Sequence, residues 1–250
     1  MIHIFTSVVN RPDFVSIQDD LFKKFIVGKY KFHVIDDSID KNISEQFRNI
    51  CQKRKIEYYK TPEYLEHNNP STKVGNVIQW SYDNLIKNQC QNDIVFWTDS
   101  DMFLIDKFDI ENYMSDCVIA GLPQPRKHIK YMWNGLMFFN MPKLLELDPD
   151  IRFNIDFIDG QHLDTGGETY HYFKKNNLSM KETNYQYPSH YKDIDLQKDS
   201  GGYNMELHLD GKFLHYRAAS NWYSNWRGTV DPLSEKTKIF YKIIESIFSE

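Results

Sequence analysis

Over its first hundred positions the chain alternates short apolar runs with stretches whose apolar residues recur every three or four places. The runs are "IHIFTSVV", "YKFHVIDD", "IEYY" and "DIVFW". Between them, "FVSIQDDLFKKFI" spaces Phe14, Ile17, Leu21 and Phe25 at helical intervals. "STKVGNVIQWSYDNLIK" puts Val74, Val77, Ile78, Tyr82 and Leu85 on one helical face. "ISEQFRNICQKRK" has Ser44 as its expected cap, with Ile43 and Phe47 in contact across it. Continuous apolar strands alternating with amphipathic helices require a mostly parallel sheet covered on both faces. The expected fold class is therefore α/β, a Rossmann-like α/β/α sandwich in a single domain over residues 1–250.

Past Asp106 the order loosens. "CVIAGL", "GLMFFNM" and "KFLHYR" read as strands. "MPKLLEL" opens a helix with Pro142 in its tolerated first position, and "GGETYHYFKKN" is a further helix. "PLSEKTKIFYKIIESIF" is a terminal amphipathic helix whose apolar face carries Ile239, Phe240, Ile243, Ile244, Ile247 and Phe248. That face is expected to pack on the sheet, with peripheral membrane contact as the alternative. The chain thus divides into an orderly α/β half, residues 1–106, and a mixed second half, residues 107–250, within one domain.

A formal net charge of −5 argues against a nucleic-acid partner, which usually meets a basic excess. Cys51, Cys90 and Cys117 are widely spaced and form no CxxC, which suits a reducing compartment and gives no zinc framework. "MIHIFTSVV" reads as a first strand and not as a signal peptide, and no apolar run approaches the roughly 20 residues that cross a bilayer. A cytoplasmic location is the expectation.

The chemistry concentrates in "DIVFWTDSDMFLID". Asp-x-Asp occurs at Asp99/Asp101, Asp148/Asp150 and Asp193/Asp195, but only the first pair follows a buried-strand run, "IVFW". Carboxylates at the exit of a buried strand are costly unless something positive satisfies them. A hard divalent cation does so, and it would accept phosphate oxygens as well. "LDTGGETYHYF" is the second such stretch, where Gly166 and Gly167 allow close backbone approach before a helix start. Asp164 and Glu168 bracket that turn. One of them could serve as a base toward a substrate hydroxyl, or as a stabiliser of developing positive charge; as a plain helix start, Glu168 merely sits well in the first turn.

"VFWTDSDMFL" resembles the DxD segment of GT-A fold glycosyltransferases, which use a nucleotide-sugar donor and Mn²⁺ or Mg²⁺. The resemblance implies that Asp101 binds metal directly and that Asp99 is shared between metal and donor. "IFTSVVNRPDF" is similar to the family's first strand and nucleotide loop, which implies donor contacts from Thr6 and Asn10. "HVIDDS" resembles the strand whose terminal acid reads the base, here Asp36 or Asp37, and "KVGNVIQW" resembles the helix beneath the diphosphate, with Lys73 and Asn76. "KYMWNGLMFFNMPKL" resembles the strand lining the sugar and acceptor pocket, with Trp133-Asn134-Gly135 in place of Asn-Ser-Gly. "GKFLHYRAASNW" resembles the His-containing segment of glycogenin- and galactosyltransferase-like members. It implies His215 as third metal ligand, Arg217 and Ser220 on the diphosphate, and Trp222 at the sugar; the family's Lys-Pro pair before Trp is replaced by Ser220-Asn221. The implied partners are a UDP- or GDP-sugar and a glycan, lipid-linked or protein acceptor. The competing readings are a non-catalytic nucleotide- or carbohydrate-binding domain and a DxD phosphatase with Asp99 as nucleophile.

Overall fold

A computed structural model describes residues 1–196, 205–217, 219 and 235–249. In chain order its elements are β1 (Ile2–Val8), α1 (Pro12–Phe25), β2 (Tyr30–Asp36), α2 (Lys41–Arg54) and β3 (Glu57–Lys60). Then come α3 (Pro70–Ser81), a π-helical turn (Tyr82–Ile86), α4 (Lys87–Gln89), β4 (Ile94–Asp99) and β5 (Met102–Leu104). They are followed by α5 (Ile110–Tyr113), β6 (Ile119–Arg126), β7 (Ile129–Asn140), α6 (Met141–Leu147), β8 (Asp156–Ile158), β9 (Gln161–Leu163) and α7 (Thr169–Lys175). The chain continues through β10 (Lys181–Glu182), β11 (Tyr185–Gln186), β12 (His190–Tyr191), β13 (Ile194–Asp195), β14 (Glu206–His208), β15 (Phe213–His215) and α8 (Glu235–Phe248).

The main sheet has seven strands in the order β10-β6-β7-β4-β1-β2-β3. All run parallel except β7, which is antiparallel to both of its neighbours. The expected α/β sandwich with a mostly parallel sheet is therefore present, and strands from both halves of the chain build one sheet. Strand alternation sorts its two faces. Ile2, Ile4 and Val8 meet Val15 and Phe22 of α1 and Phe47 of α2, whereas Phe5, Ile35 and Trp97 meet Val77 and Ile78 of α3. The chain moves outward from β1 through β2 to β3 and then returns, so β4 lies on the other side of β1. A crevice opens where strand order reverses in this way, outside the carboxyl ends of the strands. Asp99, the last residue of β4, pairs in register with Ser7 of β1 at that point.

A second, antiparallel sheet, β11-β14-β15-β5, starts directly after the DxD turn. α8 covers it: Ile239, Phe240, Ile243, Ile244 and Ile247 are buried with Phe14, Phe103, Leu214 and Tyr216. The apolar face of the terminal helix is thus turned inward, which removes it as a membrane-facing surface; Phe248 alone of that set is exposed. No helix among the described residues is long and apolar enough to cross a membrane. The start of α2 differs from expectation. Its cap is Asp40, whose carboxylate accepts from Asn42 N at 2.7 Å, while Ser44 is buried one turn inside. An aspartate before the first turn competes as well as serine for free amides.

Candidate metal and donor site

The DxD turn is held from beneath and from the side. The Gln18 amide of α1 donates to the carbonyls of Asp99 and Met102, both at 3.0 Å, and so spans the turn. β15 pairs with β5, placing His215 opposite Met102, and Tyr216 N donates to Asp101 O at 2.8 Å. This pairing brings residues over a hundred positions apart into one centre. Nε2 of His215 stands 3.6 Å from Oδ1 of Asp101, with both side chains more than nine-tenths buried.

Two further side chains close the centre, and neither was expected from sequence. Glu206 lies opposite His215 in the β14–β15 ladder, and His208 is two residues on, facing the same way. Oε2 of Glu206 lies 2.9 Å from Nδ1 of His215 and 3.0 Å from Nε2 of His208, while Oε1 is 3.4 Å from Nη1 of Arg217. The available signal was "ELHL", acid and imidazole at strand spacing before a turn and the expected His215 strand. It is weak because a two-residue alternation fits any half-buried strand.

The electrostatics of the centre are those of charges buried against one another. Burial, reinforced by the neighbouring charge of Asp101, pushes the half-buried Asp99 carboxyl up to about 7. Burial also opposes charge on His215, but Asp101 and Glu206 outweigh it and lift the imidazole to about 9. Although burial alone would raise it, hydrogen bonds from His208 and His215 hold Glu206 well below the usual carboxylate range. A carboxylate and an imidazole nitrogen meet in one buried space at the end of the Asp99 strand, a donor pair that suits a borderline-to-hard divalent ion. Asp101 and His215 meet here as the resemblance implied, whereas the three residues whose ligand atoms all lie within 4.8 Å of one another are Glu206, His208 and His215.

The expected sugar strand supplies a wall. The Trp133 ring stacks on His208 with centroids 5.7 Å apart and tilts over His215 at 5.4 Å. It occupies the space a side chain at Gly135 would need, since a Cβ there would lie 2.0 Å from Trp133 Cη2. Asn134 is buried. Beside this wall a cavity of about 650 Å³ is lined by Trp133, Gln124, Thr183, Tyr185, Tyr187 and Arg217, with His215 at its edge. Oε1 of Gln124 and Oγ1 of Thr183 are buried there without partners among the described residues.

The remaining expected residues divide. Thr6 is fully buried, on the Ile4–Val8 side of the sheet, and its hydroxyl meets no partner among the described residues. Asn10 is half-buried in the loop after β1. Asp36 is spent on structure: its carboxylate takes Ser38 N at 2.8 Å and the Tyr58 hydroxyl at 2.7 Å. Asp37 and Lys73, expected separately, form one ion pair at 3.1 Å, extended to Glu66 at 2.9 Å. Burial still lifts the Asp37 carboxyl above its ordinary value. Asn76 reaches Leu65 O only at 3.5 Å. Ser220 and Trp222 lie outside the described residues.

The paired glycines serve packing. Gly166, at φ +93°, would put a Cβ 2.1 Å from Met132 O, and Gly167 would put one 2.6 Å from Leu163 Cβ. The turn thus docks its backbone against β7, next to Trp133. Glu168 stands just before α7 and accepts from Asn154 N at 3.3 Å, tying down the preceding loop. Asp164 is exposed, and it accepts only from Thr165 N among the hydrogen bonds of its side chain described here.

The fold and site together define an α/β protein with a carboxylate–imidazole centre at a strand-order switch point. No protein-family model matches the sequence, and no curated protein matches it. Among solved structures the chain is similar to the galactosyltransferase LgtC in complex with donor and acceptor sugar analogues. Identity there is 11%, coverage is 59% of this chain and 60% of that one, and the TM-score is 0.38. It is also similar to the mannosyltransferase PcManGT from Pyrobaculum calidifontis in complex with GDP-Man and Mn²⁺, at 11% identity over 61% and 47% of the two chains, with TM-score 0.42. A third likeness, to mouse xyloside xylosyltransferase 1, has 8% identity, 58% and 69% coverage and TM-score 0.38. The chain spans about three-fifths of the length of the LgtC chain it matches.

Proposed function

We propose that this protein is a metal-dependent glycosyltransferase that moves a sugar from a nucleoside-diphosphate sugar to a hydroxyl acceptor. The observation that carries the reading is the Asp101–His215 approach at 3.6 Å beside Asp99, at the switch point of the sheet. A carboxylate and an imidazole held together in a buried space are satisfied by a positive charge, which the protonated ring carries until a metal ion takes the place of its proton. Asp99, Asp101 and His215 would hold Mn²⁺ or Mg²⁺, which would act as a Lewis acid toward the departing nucleoside diphosphate. Arg217 would neutralise phosphate oxygens from the adjacent edge, a task its fork of donors suits. The nucleoside would extend toward β1 and β2, where Asn10 and the Asp37–Lys73 pair stand.

The sugar and acceptor would lie on the opposite flank, in the cavity beside Trp133. Exposed tyrosines at its rim offer ring faces to a sugar. Since Glu168 already braces a loop, Asp164 is the better of the two acids for work on the acceptor. The test is release of nucleotide from a panel of UDP- and GDP-sugars with and without Mn²⁺. Asp101→Ala is expected to lower the metal-dependent rate at least about 100-fold, as loss of a group that stabilises developing charge does. Full activity in that variant would sink the assignment.

The structural use of Glu168 favours a second reading, a nucleotide- or carbohydrate-binding domain without catalysis. Calorimetry separates the two: a pure binder takes up the nucleotide sugar with Mn²⁺ but never releases nucleotide, whatever acceptor is supplied.

A further inference from the structure

We propose that Glu206 is a positioning residue that presents Nε2 of His215 to the cation, and that His208 holds Glu206 in place. The inference rests on the reading of Asp99, Asp101 and His215 as cation ligands. An imidazole can offer either nitrogen to a metal, and the hydrogen bond made by the other nitrogen decides which. Oε2 of Glu206 is 2.9 Å from Nδ1 of His215. An ionised carboxylate only accepts, so Nδ1 keeps its hydrogen, and Nε2, which faces Asp101, is the nitrogen that would give up its proton to a cation.

The carboxylate has little freedom of its own. Its Oε2 also accepts from Nε2 of His208 at 3.0 Å, and its Oε1 faces Arg217. The His208 ring is in turn stacked between Trp133 and Tyr185, each with its centroid 5.7 Å away. Strand register supplies the alignment, since Glu206 is opposite His215 and Tyr185 is opposite His208. The backbone ladder needs none of these side chains, yet three ionisable groups are buried along it. Burial of that kind is costly unless the groups serve one another, and here each serves the orientation of His215. A carboxylate behind a ligating histidine fixes its tautomer and raises its basicity.

The same three side chains bring ligand atoms within 4.8 Å of one another, a spacing an ion of their own would also accept. The two approaches to Oε2, at 2.9 and 3.0 Å, have hydrogen-bond lengths and favour positioning, because an ion there would claim the nitrogens that make them. The test keeps the two apart. Mn²⁺ binding to the full chain is followed by the electron paramagnetic resonance of free Mn²⁺, with no turnover involved. Wild type is expected to bind one ion, and Asp101→Ala to lose it.

Glu206→Ala is expected to weaken binding about 10- to 100-fold, the usual consequence of losing such a partner. Glu206→Gln keeps an acceptor oxygen and recovers part of the loss. His208→Phe preserves the ring stack, removes one hydrogen bond and gives a smaller weakening; it carries the test if Glu206→Ala does not fold. Wild-type affinity in Glu206→Gln, His208→Phe and any folded Glu206→Ala would overturn the positioning role and leave the metal reading standing. Two ions per chain, one lost in Glu206→Ala and kept in Asp101→Ala, would replace it with a separate site. Absence of Mn²⁺ binding to wild type would overturn the metal reading and this inference together.

Discussion

Single residues in this protein are decided by what lies within a few ångströms, and identical sequence signals come apart there. Asp36 and Asp37 are neighbours, but one clamps a turn and a tyrosine while the other pairs with Lys73 at the start of α3. Glycine gives a sharper case. Gly160 and Gly166 both have positive φ, +73° and +93°, yet a Cβ at Gly160 meets nothing within 4 Å while one at Gly166 meets Met132 O at 2.1 Å. Gly160→Ala should therefore cost about 1 kcal/mol, from backbone strain alone. Gly166→Ala adds a clash with backbone that cannot move aside, and should cost about 2–4 kcal/mol. Urea unfolding of the two variants checks the difference, and equal losses would mean that the Gly166 turn is not docked on β7 as described.

At the scale of elements, periodicity is a good guide to what forms and a poor guide to where it starts. The pattern in "ISEQFRNICQKRK" gives α2 correctly, but its cap is set by which side chain reaches the free amides, and that is Asp40. Asp40→Ala is expected to destabilise the protein by about 1 kcal/mol, and Asp40→Asn by much less, because Asn caps equally well. A thermal melt distinguishes them. Strand β14 shows the opposite situation. Three residues, Glu206–His208, are too few for a periodic signal, and their importance comes entirely from facing β15. The terminal helix is legible both as an amphipathic element and as a packing element, because five of the six residues of its apolar stripe are buried against the second sheet and α1.

On the scale of the whole molecule, the layers create environments that no local stretch contains. Nε2 of His33 on β2 meets Nδ1 of His3 on β1 at 3.0 Å, and Nε2 of His3 reaches Asp93 at 3.1 Å. Nδ1 of His33 is buried without a partner among the described residues, and the ring stacks on Phe5 at 4.3 Å. Burial, with repulsion from His3 and Lys31, depresses the His33 imidazole from 6.5 to about 3. Between those values the unfolded chain binds a proton that the folded chain refuses, so stability falls as pH drops from about 6.5 toward 3. The slope from this one group approaches about 1.4 kcal/mol per pH unit, and the loss stops below its folded value. His33→Gln should flatten that part of the profile. Denaturant midpoints of both proteins from pH 7 to pH 4 check it, and parallel profiles would contradict it.

The sequence alone determined the class of fold, since an alternation of buried strands and amphipathic helices has few ways to hide its apolar faces. It also determined where the acids of Asp99 and Asp101 must emerge, because a buried strand delivers its last residues to a sheet edge. Which partners meet them there was a matter of tertiary structure. His215 lies over a hundred residues from Asp101 in the chain, and Glu206 and His208 reach it only through the pairing of β5, β15 and β14. Hydrogen bonds and charges act over a few ångströms of space, and the number of residues between two groups says nothing about that distance until the strands have paired.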